Sequence, residues 1–224
     1  MLPKDIAMKL EDGKPVEPQF YDEVSIYFSD IVGFTKLCAA ATPLQVVTFL
    51  NDLYSQFDEV ADRYDVYKVE TIGDAYLVVS GLPERNGHNH AREIAAVALQ
   101  MLEVIRNFKL SYSTKPVRLR IGLHAGPCMA GVVGLKMPRY CLFGETVNTA
   151  ALMESTCIPM KIHMSGDFVR YLNYFPEYEY TTREDSAGKI KTGMVTYFLK
   201  DPKCTEVQDL EFSRDKEHIV AEVL

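Results

Sequence analysis

Apolar residues first fall into a regular pattern at Val24, Ile26 and Phe28, which alternate with Ser25, Tyr27 and Ser29. That period of two predicts a strand with one better-buried face. Thr42-Pro43-Leu44-Gln45 then combines an N-cap threonine, a proline at the first helical position and a glutamine placed to complete a capping box. Behind it Val46, Val47, Leu50, Leu53, Tyr54, Phe57 and Val60 recur at helical spacing, so a helix should bury that stripe against a sheet. Tyr67–Glu70 and Ala75–Val79 read as two strands around Gly73-Asp74, a hairpin. A second amphipathic helix is expected over about His90–Phe108, with Ile94, Ala98, Leu102 and Ile105 on its buried side. Val117–Val133 reads as a pair of strands broken at Gly126-Pro127. A third helix should start near Thr146, and the last strands lie near Tyr178–Thr182 and Val195–Leu199.

In order, the first six elements are strand, helix, strand, strand, helix, strand. That is the split β-α-β arrangement of an α+β domain with a ferredoxin-like core, and the later elements predict a C-terminal subdomain added to it. Residues 1–20, ending in Pro15-Val16-Glu17-Pro18, read as an entry segment, 21–200 as the domain and 201–224 as a charged tail. A chain of 224 residues suits one sizeable core rather than two.

Composition narrows the class. With 47% hydrophobic and 25% charged residues the chain has the make-up of a soluble globular protein, which excludes disordered, collagen-like and coiled-coil classes. No apolar run reaches the roughly 18 residues that span a bilayer, and the first residues lack the apolar core of a signal peptide. The expectation is a cytoplasmic polypeptide with no membrane contact of its own. Cys38, Cys128, Cys141, Cys157 and Cys204 are scattered without a C-x-x-C pair, which fits reduced thiols rather than a disulfide framework or a zinc site. Against 31 acidic residues there are 24 basic ones, a net charge of −7 that gives no reason to expect nucleic-acid binding. An anionic ligand must be held by local devices.

Two aspartates suggest such a device. Asp30 ends the first strand and is followed by Ile31-Val32-Gly33-Phe34-Thr35, a carboxylate beside a glycine-containing turn whose backbone N–H groups can face phosphate oxygens. Asp74 stands at the hairpin tip. Each alone reads equally well as an ordinary turn residue. In a split β-α-β sheet the first strand should lie beside the hairpin's first strand, which would bring the strand end and the hairpin tip together. Two carboxylates meeting there would suit two divalent ions clamping a triphosphate.

Longer motifs extend this pattern: Phe28-Ser29-Asp30-Ile31-Val32-Gly33-Phe34-Thr35, Asn51-Asp52-Leu53-Tyr54, Tyr67-Lys68-Val69-Glu70-Thr71-Ile72-Gly73-Asp74-Ala75-Tyr76, Met137-Pro138-Arg139-Tyr140-Cys141-Leu142-Phe143-Gly144 and Thr146-Val147-Asn148-Thr149-Ala150. Through them the chain resembles the class III nucleotidyl cyclases, and among these the catalytic domain of receptor-type guanylate cyclases. The resemblance implies a head-to-tail pair of cyclase domains, either a homodimer or a heterodimer, with two composite sites to which each chain gives different residues. It implies GTP as substrate and two Mg²⁺ or Mn²⁺ ions per site, held by Asp30, Asp74 and the backbone of Ile31, with Gly33, Phe34 and Thr35 near the phosphates. Glu70, Arg139 and Cys141 match its guanine-recognition set. Guanine's N1–H and N2–H suit a carboxylate acceptor and its O6 suits a thiol or guanidinium donor, whereas the adenylate branch has Lys and Asp in place of Glu70 and Cys141. Asn148 matches the ribose-positioning asparagine, and Lys189 the phosphate-binding lysine, with Lys191 as the alternative.

One position departs from the family. Four residues after Asn148, where the family has an arginine that neutralises charge on the transferring phosphate, this chain has Leu152. The metal-giving half of a composite site is intact and the other half is not. The expectation is a guanylate cyclase domain that is slow as a homodimer, forming the intracellular portion of a larger protein. The alternatives are a pseudo-cyclase or a metal-donating subunit of a heterodimer and, as a third reading, a ferredoxin-like module that binds no nucleotide.

Overall fold

The computed structural model describes residues 2–110, 112–113, 116–134, 136–184 and 194–201. The first half comprises α1 (Lys4–Glu11), β1 (Gln19–Ile31), α2 (Phe34–Ala39), α3 (Pro43–Ala61), β2 (Tyr67–Ile72), β3 (Ala75–Ser80) and α4 (Asn89–Asn107). The second comprises β4 (Leu119–Val133), β5 (Arg139–Phe143), α5 (Glu145–Ser155), β6 (Ile162–Ser165), α6 (Gly166–Leu172), β7 (Tyr180–Thr182) and β8 (Thr196–Leu199). All strands join one sheet in the order β2-β3-β1-β4-β6-β8-β7, and β5 pairs with β4 off this path. The antiparallel run β2-β3-β1-β4 is the expected ferredoxin-like core. The C-terminal elements extend the same sheet, through β6 laid parallel to β4.

The helix starts follow their signals. Thr42 Oγ1 accepts from the Gln45 N–H at 3.3 Å while Gln45 Oε1 accepts from the Thr42 N–H at 2.8 Å, a closed capping box. On α4, Ile94, Ala98, Leu102 and Ile105 are all buried. On α3 the buried residues are Phe49, Leu53, Phe57, Val60 and Ala61, whereas Val47 is exposed. The expected stripe was therefore rotated at its first turn.

Three other expectations change. From Val24 onward both faces of β1 are covered: Tyr27 and Ile31 enter a core with α3, α4 and α6, and Val24 and Ile26 enter one closed by α5, while Gln19, Phe20, Asp22 and Glu23 stay exposed. Of its two buried serines, Ser25 is satisfied by a 2.7 Å hydrogen bond between its Oγ and His90 Nδ1. Val117–Val133 contains one continuous strand, β4, not two. Pro127 is tolerated there because β1 bulges opposite it, the register passing from Tyr21↔Cys128 to Val24↔Gly126, so the missing N–H falls at a break in the ladder. The entry segment holds α1 and the start of β1. Helix α1 is too short to show a periodicity of its own, and it rests Leu2 and Ile6 against the α5-side core.

Gly122 fixes the layer that matters most for the site. A Cβ added there would stand 2.1 Å from the Glu154 backbone N and 2.5 Å from the Ala150 carbonyl O. Helix α5 therefore lies directly on β4, closer than any side chain would permit.

Candidate active site

Asp30 sits next to last in β1 and Asp74 in the turn after β2. The strand beside β1 is β3, the second strand of the hairpin, rather than the first as expected; Ser29 pairs with Tyr76 in antiparallel register. The tip still folds back onto the strand end. The Asp74 carboxyl hydrogen-bonds with that of Asp30, and its pKa is pushed up from 3.8 to about 6, first by burial and then by the Asp30 hydrogen bond and charge. Backbone N–H groups of Asp74 and Ile31 oppose the rise.

Asp30 has a cationic partner across the ladder. Arg120 on β4 is its direct register neighbour. Arg120 Nη2 donates to Asp30 Oδ2 at 2.7 Å, and Arg120 Nε donates to Glu154 Oε1 of α5 at 2.8 Å. Glu154 is buried, which raises its pKa, and Arg120 opposes that rise. The ladder Asp30–Arg120–Glu154 is the part of the site that sequence reasoning missed. A signal was present in Leu119-Arg120-Ile121, a charge alternating with core residues on a buried strand.

Gly33 adopts φ +72 and caps α2, whose first turn contains Phe34 and Thr35. The N–H groups of that turn lie outside the helix's own hydrogen bonds and directly follow the carboxylate strand. Among the described residues no group of three or more His, Cys, Asp or Glu side chains converges. Asp30 and Asp74 thus offer two carboxylates side by side at one strand end. That donor set fits a hard divalent cation whose remaining ligands come from a phosphate or water.

The second cluster forms between β2 and β5. Glu70 and Arg139 line one cavity of about 330 Å³ together with Lys68, Val69, Thr71, Pro138 and Tyr140. A bulge at Val69 aims Glu70. Lys68 pairs with Val78, which faces α3 and α4, but Glu70 pairs with Leu77, which faces the opposite side. Without the extra residue Glu70 would share the face of Lys68. Lys68 instead donates to Asp58 of α3. The rings of Tyr67 and Tyr140, edge to face with centroids 5.6 Å apart, hold β2 and β5 together. Cys141 lies beside Tyr67 and donates to the Arg139 carbonyl at 3.7 Å, and it is not part of the cavity lining.

Asn148 is exposed and Leu152 half-buried, one turn apart on α5. Glu154, which reaches the carboxylate site, lies six residues beyond Asn148, about 9 Å along the helix axis. Within one chain Asn148 is therefore set back from Asp30. Lys189 and Lys191 lie outside the described residues.

Comparison with known proteins identifies the family of the chain. The family described as "Adenylate and Guanylate cyclase catalytic domain" matches residues 16–201, and the chain belongs to that family. It is 55% identical over 201 residues to "Guanylate cyclase 2D" of Rattus norvegicus, covering 89% of this chain and 18% of the relative. With "Retinal guanylyl cyclase 1" of Bos taurus the identity is 57% over 178 residues, covering 79% and 16%. The chain spans less than a fifth of the length of either relative. The guanylate cyclase domain of RhGC from Catenaria anguillulae, solved in complex with GTP, superposes with a TM-score of 0.75 at 37% identity, covering 83% of this chain and all of that one. Among the described residues no helix is long and apolar enough to cross a membrane.

A pH dependence follows from the carboxylate pair. Folding raises the Asp74 pKa, so the folded chain holds this proton more tightly than the unfolded chain does. Its contribution to metal-free stability should fall as pH rises from about 4 to about 6. Urea midpoints across that range should show the decline in the unaltered chain and a flatter profile in Asp74→Asn. Identical profiles would mean that the two carboxyls do not interact.

Proposed function

We propose that the chain is a guanylate cyclase catalytic domain that converts GTP to cyclic GMP and pyrophosphate at sites shared between two such domains. The observation that carries this reading is the meeting of Asp30 and Asp74 beside Arg120. The ribose 3′-oxygen attacks the α-phosphorus, the bond from that phosphorus to the β-phosphate oxygen breaks, pyrophosphate leaves, and the hydroxyl proton passes to solvent. Two Mg²⁺ or Mn²⁺ ions held by Asp30, Asp74 and the Ile31 carbonyl would lower the pKa of that hydroxyl and shield the phosphates. Arg120 cancels part of the aspartate charge and stands beside the triphosphate's path. The N–H groups from Gly33 to Thr35 receive phosphate oxygens. Glu70 accepts from guanine N1–H and N2–H, while Arg139 and Cys141 donate toward O6. Residues 21–200 form the catalytic unit, which we assign to the intracellular part of a longer, receptor-like protein.

The two halves differ in completeness. Asn148 orients the ribose, Lys189 contacts phosphate, and the guanidinium expected one turn after Asn148 is replaced by Leu152. The set-back of Asn148 from Asp30 within one chain supports a site completed by a partner domain. Loss of one preorganised donor costs about 100- to 1000-fold in turnover, so a pair of identical chains should be slow. That same residue favours a second reading, in which this chain donates metals and a different partner supplies the arginine.

Two experiments test these assignments. Leu152→Arg should raise cyclic GMP turnover well over tenfold with little change in the apparent GTP constant, because the new charge acts on the transition state more than on bound substrate. Equal turnover in both proteins would show that another group already supplies that charge. In the Leu152→Arg background, changing Glu70 to Lys and Cys141 to Asp together reverses the donor and acceptor pattern. With mismatched buried groups costing roughly 1 to 3 kcal/mol each, preference should move to ATP. Retained preference for GTP would refute the purine assignment.

A further inference from the structure

Helix α3 meets the hairpin both at its stem and at its tip. At the stem, Tyr76 of β3 donates to Asp58 at 2.5 Å, and Lys68 of β2 donates to the same carboxylate at 2.5 and 2.8 Å. One helical turn earlier, Tyr54 Oη donates to the carbonyl oxygen of Gly73 at 2.9 Å. Gly73 is the residue before Asp74.

The Asp74 side chain also meets Asp30 and the Ile31 N–H, but the backbone of the tip lies outside the strand ladder. The β2–β3 ladder ends at Ile72 and Ala75, so Gly73 and Asp74 are without ladder partners. Gly73 sits at φ +63, and an added Cβ would meet nothing within 4 Å. The turn's left-handed backbone, not crowding, selects glycine there. The Tyr54 ring is itself held, with its centroid 5.6 Å from that of Tyr76 and 6.5 Å from that of Phe57. A rigid aromatic arm thus ends in one hydrogen bond to the peptide that carries the carboxylate.

We propose that Tyr54 is a positioning residue for Asp74. Its hydrogen bond to Gly73 sets the hairpin tip at the separation from Asp30 at which both carboxylates can bind one divalent cation. This rests on the metal-site reading above. Burial and the charges of Asp74 and Asp30 push the Tyr54 pKa up, which keeps the phenol a neutral donor. A purely structural tyrosine would contribute through its ring, packed between α3 and β3, and its hydroxyl would then be dispensable for metal binding.

Tyr54→Phe separates the two roles, because it keeps the ring and removes only the donor. Mn²⁺ alone is the probe, titrated into the folded chain and followed through the electron paramagnetic resonance signal of free Mn²⁺. Loss of one neutral hydrogen bond predicts Mn²⁺ affinity about three- to tenfold weaker than in the unaltered chain, with Asp74→Ala losing the site outright. If Tyr54→Phe binds Mn²⁺ as tightly as the unaltered chain, the positioning role is wrong whether or not its melting temperature falls. If the unaltered chain and Asp74→Ala take up Mn²⁺ alike, the metal site itself is misassigned and the role of Tyr54 falls with it.

Discussion

Two carboxylates forced together at a strand end are the constraint around which this domain is arranged. Burial first, and then the neighbouring Asp30 carboxyl, pushes the Asp74 pKa up to about 6. The sheet tolerates the pair because each member is tied down from a different side. Asp30 is held on the α5 side by Arg120, itself anchored on Glu154, and the close seat of α5 over Gly122 makes that reach possible. The turn bearing Asp74 is held on the α3 side through Gly73. A divalent cation between them would turn repulsion into attraction, which is the usual reason for a protein to keep such a pair.

The proposed function divides the chemistry between two chains. Helix α5 presents its C-terminal end to the carboxylates of its own chain and exposes Asn148 further back. Glu70 and Arg139 meet further down the hairpin, where the bulge at Val69 turns Glu70 toward β5. Glu70 beside β5 and Asp74 at the hairpin tip thus occupy separate places along one short hairpin. In the proposed reading the second set of residues comes from a neighbouring domain, and Leu152 would weaken only the sites to which this chain gives its α5.

Much of this was legible in the sequence. The capping box at Thr42, the hairpin around Gly73-Asp74 and the stripe of α4 are local signals, set by backbone geometry and helical period. Of the motif residues the structure brings Asp30 to Asp74 and Glu70 to Arg139, while Cys141 lies outside their cavity and Asn148 is set back on α5. What stayed hidden was non-local. No pattern in residues 67–80 says which hairpin strand will lie beside β1, since that depends on pairing across a helix connection. Pro127 looked like a break because its compensation, a bulge, is on another strand. Arg120 and Glu154 are 34 positions apart and reveal their ion pair only once α5 lies on β4.

The central claim is that this chain brings a sound metal-binding half to a site that a second domain completes. Cyclic GMP formation from Mn²⁺-GTP should be measured for the unaltered chain alone, and again after mixing with a cyclase domain that carries the arginine but has both metal aspartates changed to alanine. That partner is inactive alone, so activity in the mixture can come only from a site using Asp30 and Asp74 of this chain. The account predicts activity in the mixture well above the chain by itself, rising with partner concentration to a plateau. No gain on mixing, with paired domains demonstrated by sedimentation, would contradict it.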